Sequence, residues 1–259
     1  MTAAVLLGLG IGVLLGLVGG GGSILAVPAL LYGVGMPLSR AIPTALLVVG
    51  ISSAAAAVPR MIHREIGWRI ALVFGGAGVP AAFGGAALNR MLPSRLLLFG
   101  FVALMLIAAW RMLQTDEQKG GDCALPGGGV NWRSCLPKAI ASGAGVGFIT
   151  GLFGVGGGFV IVPALVLLLG LPMTVAVGTS LVIISINSAA GFLAHLGATS
   201  LDATVTIAFT LAAVAGALVA GRVGSRLSGV RLRQGFAYLV IAVAAFVALN
   251  AFIDPGAAR

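Results

Sequence analysis

The sequence predicts an all-α integral membrane protein of two homologous repeats in inverted topology. Each repeat is expected to hold a Gly-broken, re-entrant helical hairpin plus three transmembrane helices. Three observations predict this. The 259 residues are 59% hydrophobic and only 8% charged, where a soluble domain carries about a quarter charged residues. A glycine-dense segment occurs twice, 135 residues apart: Gly16-Leu-Val-Gly-Gly-Gly-Gly-Ser-Ile-Leu-Ala-Val-Pro28 and Gly151-Leu-Phe-Gly-Val-Gly-Gly-Gly-Phe-Val-Ile-Val-Pro163. Basic residues cluster at the ends of apolar runs, where membrane proteins record orientation.

Element one covers residues 2–34 and contains the first glycine cluster. Apolar runs long enough to span a bilayer, about 20 residues each, follow near 39–61, 67–89 and 94–113 and complete repeat 1 (1–113). The one long polar stretch, 114–133, carries Asp116, Glu117, Lys119 and Asp122 and reads as an inter-repeat linker. Repeat 2 (134–253) starts with a second glycine-broken element at 134–169. Its helices fall near 174–196, 201–224 and 230–253. With the offset held at 135, residues 16–56 and 151–191 agree at 18 of 41 positions, including Pro28/Pro163, Pro37/Pro172 and Thr44/Thr179.

Elements one and five exceed 30 residues, near 50 Å as straight helices against a hydrocarbon core of about 30 Å. Each therefore crosses once, broken and tilted, or turns at its glycines and leaves on the side it entered. Crossing gives eight spans and splits the basic residues eight to seven. Re-entry gives three full spans per half, an odd number that inverts repeat 2. One side then collects Arg60, Arg64, Arg69, Arg111, Lys119, Arg133, Lys138, Arg222, Arg226, Arg231 and Arg233, leaving Arg40, Arg90, Arg95 and Arg259 opposite. That bias favours re-entry, with a cytoplasmic linker and both termini outside.

Matched helix breaks in two halves of a hydrophobic chain point to a transporter's substrate site. Gly19, Gly20, Gly21, Gly22 and Ser23, with Gly154, Gly156, Gly157 and Gly158, would expose main-chain N–H groups at helix starts, which bind anions. Close helix packing by small residues is the competing reading. Thr44, Ser52 and Ser53 align with Thr179, Asn187 and Ser188, and Ser180 adds a hydroxyl. These groups would complete the substrate site or bond helix to helix. Arg60 faces His195 at the same offset. A charge there would attract or gate an anion, with interfacial snorkelling the alternative.

Other classes fit poorly. The continuously apolar runs do not alternate as barrel strands do, and the scattered basic residues argue against nucleic acid. Residues 1–18 lack a basic n-region, so no cleavable signal peptide is expected. Cys123 and Cys135 have no histidine nearby, so neither metal nor cofactor is expected. Gly50-Ile-Ser-Ser53 has no Gly-x-Ser-x-Gly context, and neither HExxH nor a P-loop lysine motif is present. No enzyme is expected. The expected partners are a small anionic substrate, the lipid bilayer and a second copy in a homodimer.

The duplicated G-x-x-G-x-G-G-G/S-x-x-x-V-P cores, the following G-x-P, Gly178-Thr-Ser180 and His195 before Gly197 resemble the sulfite exporter TauE/SafE family. The resemblance runs from about residue 5 to 253. It implies a secondary transporter of sulfite or an organosulfonate, working as an exporter in the bacterial inner membrane. Repeat 1 departs from the fuller motif, with Pro43-Thr-Ala45 where repeat 2 has Gly-Thr-Ser. An anion channel, or a sulfur-relay protein using the linker cysteines, are the alternative functions.

Overall fold

The computed structural model describes the chain except residues 1, 90, 115–123, 126–128, 131, 154–157, 196–201, 225–226 and 254–259. Ten α-helices make up almost all of the described structure: α1 (Thr2–Val18), α2 (Gly21–Pro28), α3 (Leu38–Ile62), α4 (Trp68–Asn89), α5 (Ser94–Gln114), α6 (Trp132–Phe153), α7 (Gly158–Leu167), α8 (Met173–His195), α9 (Ala203–Gly224) and α10 (Gly229–Ile253). Ala124–Leu125 and Gly129–Val130 pair as two short antiparallel strands, β1 and β2. Six helices among the described residues, α3, α4, α6, α8, α9 and α10, are long and apolar enough to cross a membrane. The described apolar parts of α1 and α5 are shorter, Ala4–Val18 and Phe99–Gln114. Large apolar side chains such as Leu72, Phe83, Trp110, Leu211 and Phe246 face outward, as lipid contact requires.

Element one is two helices and a π turn. Gly19 takes φ +78°, a conformation that disfavours any side chain, and its N–H still bonds the Leu15 carbonyl at 2.9 Å. The chain reverses there. Gly22 packs on Ile11 and Leu15, and Gly33 on Leu7, so α2 and the π turn Ala29–Gly33 run back along α1. The return ends in a C-terminal cap that is the same in both halves. Gly35 and Gly170 take φ +77° and +67°. The following amides, Met36 and Leu171, reach back to the Leu30 and Leu165 carbonyls at 3.0 and 3.1 Å. Pro37 then starts α3 from an extended conformation.

The offset of 135 persists in three dimensions. It relates the first residues of α3 and α8, of α4 and α9, and of α5 and α10. It also relates the main contacts. Gly8, Gly12 and Gly16 of α1 lie against Phe209, Ala213 and Ala217 of α9, while Gly143, Gly147 and Gly151 of α6 lie against Phe74, Gly78 and Ala82 of α4. Both pairs run parallel, and the first helix of each half is seated on the other half. Helices α3 and α8 cross antiparallel: Leu46 meets Gly191, Gly50 meets Ser188, and Arg60 reaches Thr174.

A methyl group added at Gly12 or Gly147 would overlap a facing backbone carbonyl, of Ala213 or Gly78. Gly12→Val and Gly147→Val should each cost at least about 3 kcal/mol, the upper end of overpacking. Gly10 and Gly145 have nothing within 4 Å, so valine there should leave melting in detergent unchanged. Equal melting of all four variants would contradict this packing.

Candidate functional site

The two glycine breaks meet. Gly20, the N-cap of α2, lies against Gly158, the first residue of α7, and Ser23 Oγ is the other close neighbour of Gly158. Ser23 and Gly158 are equivalent under the 135 offset, so this contact lies where the two halves exchange places. Ser23 is buried and donates to the Gly20 carbonyl at 2.8 Å. No side chain caps the start of α2, and neither α2 nor α7 carries an acid in its first turn. The positive ends of two short helices are thus brought together. Gly21 is the first residue of α2 and Gly22 is packed on α1. Gly154, Gly156 and Gly157 lie outside the described residues.

Helices α3 and α8 flank the meeting point. Ser180 donates to the Val177 carbonyl at 2.8 Å and lies 3.5 Å from the Gly19 carbonyl, which brings α8 to the first break. Ile184 touches Gly158. Ser185 donates to the Gly50 carbonyl at 2.7 Å, a second contact between equivalent positions. Ser188 is buried against Gly50. Thr44 Oγ1, Ser52 Oγ, Ser53 Oγ and Asn187 Oδ1 are buried with no hydrogen-bond partner among the described residues. An unpartnered buried polar atom is costly, and these four lie on the two crossing helices. Thr179 is used otherwise: its hydroxyl accepts the Gly67 N–H at 3.0 Å, tying α8 to the α3–α4 loop.

Arg60 is fully buried, which overturns the snorkelling alternative. Its guanidinium pairs with Glu65 at 3.1 Å and also donates to the Thr174 and Gly16 carbonyls at 3.5 and 3.4 Å. The Gly16 carbonyl belongs to the last turn of α1, so the cation stands at that helix's negative end. Gly224, at the end of α9, leaves it room. The equivalent of Gly224 is Asn89, and its side chain donates to the Leu152 carbonyl at the end of α6, at 2.5 Å. Each break therefore has its own polar cap. Asn89 was missed in the sequence, although its place 135 residues before Gly224 marks it. His195 ends α8, and its side chain lies outside the described part. Among the described residues no three His, Cys, Asp or Glu side chains gather to hold a metal.

A family model described as "Sulfite exporter TauE/SafE" matches residues 4–247. The chain belongs to the TauE/SafE family. This TauE/SafE protein is 32% identical over 246 residues to a probable membrane transporter protein of Xylella fastidiosa (strain Temecula1), covering 92% of this chain and 90% of the relative. It is 29% identical over 249 residues to the probable membrane transporter protein YunE of Bacillus subtilis (strain 168), covering 86% and 87%. A probable membrane transporter protein of Methanocaldococcus jannaschii is 26% identical over 238 residues, covering 89% and 85%. No solved structure matches the chain. It is a multi-pass membrane transporter of this family, and none of these relatives is named as an enzyme.

Removing one partner of a buried ion pair costs about 3–5 kcal/mol. Arg60 is fully buried but Glu65 only partly, so Arg60→Leu and Glu65→Leu should each destabilise the detergent-purified protein by up to about 3 kcal/mol, and the double variant by less than their sum. Strict additivity in melting experiments would show that the pair is not coupled.

Proposed function

We propose that this TauE/SafE protein is a secondary transporter that exports a small sulfur-containing anion, sulfite or an organosulfonate, by alternating access. The carrying observation is the contact of the two chain breaks at Gly20, Ser23 and Gly158, where two short helices start without an acid in their first turn. Helix starts bind oxyanions through free N–H groups without a buried cation. Thr44, Ser52, Ser53 and Asn187, which have polar atoms to spare, would add donors around the guest. Ser180 and Ser188 would complete the wall.

The proposal includes inversion of the repeats. Helices α3 and α8 cross antiparallel with equivalent residues Gly50 and Ser185 in contact. A twofold axis relating antiparallel helices lies perpendicular to both, hence in the plane of the membrane. The return of α2 along α1 supports entry and exit of each hairpin on one side. The moving bodies would mix the repeats, because backbone contact joins α1 to α9 and α6 to α4. Export would use the membrane potential: about 2.3 kcal/mol per charge per 100 mV for an anion leaving a negative interior. With the re-entrant topology eleven of the fifteen basic residues lie on the linker side, which supports a cytoplasmic linker and outward termini.

Two observations bear on alternatives. Cys135 is disulfide-bonded, a state common in oxidising compartments and also the oxidised form that a dithiol relay would cycle through. The charge bias favours the cytoplasmic side. A cysteine introduced at position 118 into a background with Cys123 and Cys135 replaced by serine decides. It should resist a membrane-impermeant maleimide in intact cells and react in inverted vesicles; the reverse would turn the molecule over.

Proteoliposomes holding the purified protein should carry at least one of sulfite, sulfoacetate, taurine and thiosulfate with saturation. Asn187→Ala should slow that flux at least tenfold at unchanged folded yield. Flux in none of the four would refute the substrate class, and resolvable single-channel currents would replace the carrier by a channel.

A further inference from the structure

Arg233 lies in the second turn of α10, with 7% of its surface exposed and its Nε and Nη1 without a hydrogen-bond partner. Two buried, unbonded nitrogens on a cation with no ion pair among the described residues are costly to the fold. Arg60, the other buried arginine among the described residues, has Glu65 and two carbonyls around it. On the buried face of α10 the residues that follow are Phe236, Ala237 and Val240, all apolar. The repeat supplies an internal control: the position equivalent to 233 is Leu98. The corresponding helix of repeat 1 is built with leucine there, so its architecture alone does not call for an arginine.

Gly224 at the end of α9 touches Arg60, the Gly16 carbonyl and Leu17, so this corner lies beside the first break. Helix α10 begins five residues later at Gly229. Besides α5 it packs on α8, α1 and α2, the elements that form the first break and its wall. The basic residues Arg222 and Arg231 stand on the same end.

We propose that Arg233 is an anion-binding residue of the transport path, a resident cation that takes the sulfonate or sulfite group at the linker end of the bundle, before or beside the glycine breaks. The inference rests on the transporter reading above and adds its charge-recognising residue. A planar guanidinium donates several N–H bonds in a fixed fork and suits a group with three oxygens. An ammonium is a point charge and would hold the same anion less specifically.

The test is binding of methanesulfonate and of sulfite to the full-length, detergent-purified protein, by calorimetry and by melting with and without anion. Arg233→Leu should fold, melt without anion at the same temperature as the parent or higher, and lose at least tenfold in affinity for both probes. Arg233→Lys should fall between the two. A lower melting temperature of Arg233→Leu without anion would make the arginine structural and overturn the proposal. Unchanged affinity in Arg233→Leu, with loss in Asn187→Ala, would overturn it while leaving the transporter reading intact. Failure of the parent to bind either probe would overturn this proposal, while the transporter reading falls only if none of the four anions is carried in proteoliposomes.

Discussion

Lipid offers no hydrophobic drive for helix to join helix, so the fold depends on how closely two backbones can approach. Glycines every fourth residue on α1 and α6 let each lie directly on the main chain of a helix from the other half, α9 and α4 respectively. Those seats hold the two hairpins in place. The turn at Gly19, the return of α2 and the meeting of Gly20 with Gly158 all depend on α1 being fixed there. The contact of Gly20 with Gly158 is therefore framed by packed helices. The glycines at the turn and those in the seats do different jobs: conformational freedom in the first case, absence of a side chain in the second.

A broken helix exposes two ends of opposite sign at one place. The carbonyl end of α1 is met by Arg60, and that of α6 by Asn89. The amide ends of α2 and α7 meet each other, and no side chain caps the start of α2. Two carbonyls at the ends of the broken helices, of Gly16 and Leu152, are thus engaged by side chains. The two halves reach this by different means. Arg60 comes from α3 and uses the space left by Gly224, whereas Asn89 fills the corresponding space itself. The pseudo-symmetric frame thus carries asymmetric chemistry, one side with a permanent ion pair and the other with a neutral amide.

Much of the helical architecture was legible because long apolar runs in this chain end at Gly, Pro or Arg. The six longest sequence-read helices lie within two residues of α3, α4, α5, α8, α9 and α10. Broken elements were harder. The run at 2–34 reads as a Gly-broken hairpin whose internal bounds are not marked; its pieces are α1, α2 and a π turn, divided at Gly19 and Pro28. The clustered glycines announced the meeting of the breaks. The spaced ones, Gly8-Gly12-Gly16 and Gly143-Gly147-Gly151, carried the packing and drew no notice. Among polar residues, type did not reveal partnership. Thr44 and Thr179 are equivalent in sequence, yet one lacks a partner and the other holds Gly67. Arg60 looked like an interfacial side chain because its partner Glu65 is local, while its carbonyl acceptors are distant in the chain.

The central claim is an oxyanion held by main-chain amides where two broken helices begin. The most direct measurement is an experimental structure grown with selenite, a heavier stand-in for sulfite, located by its anomalous scattering. The account predicts a peak within hydrogen-bond distance of the amides that open α2 and α7, between Gly20 and Gly158. Continuous helices through both glycine-rich segments, or a peak only on the outer surface of the bundle, would contradict it.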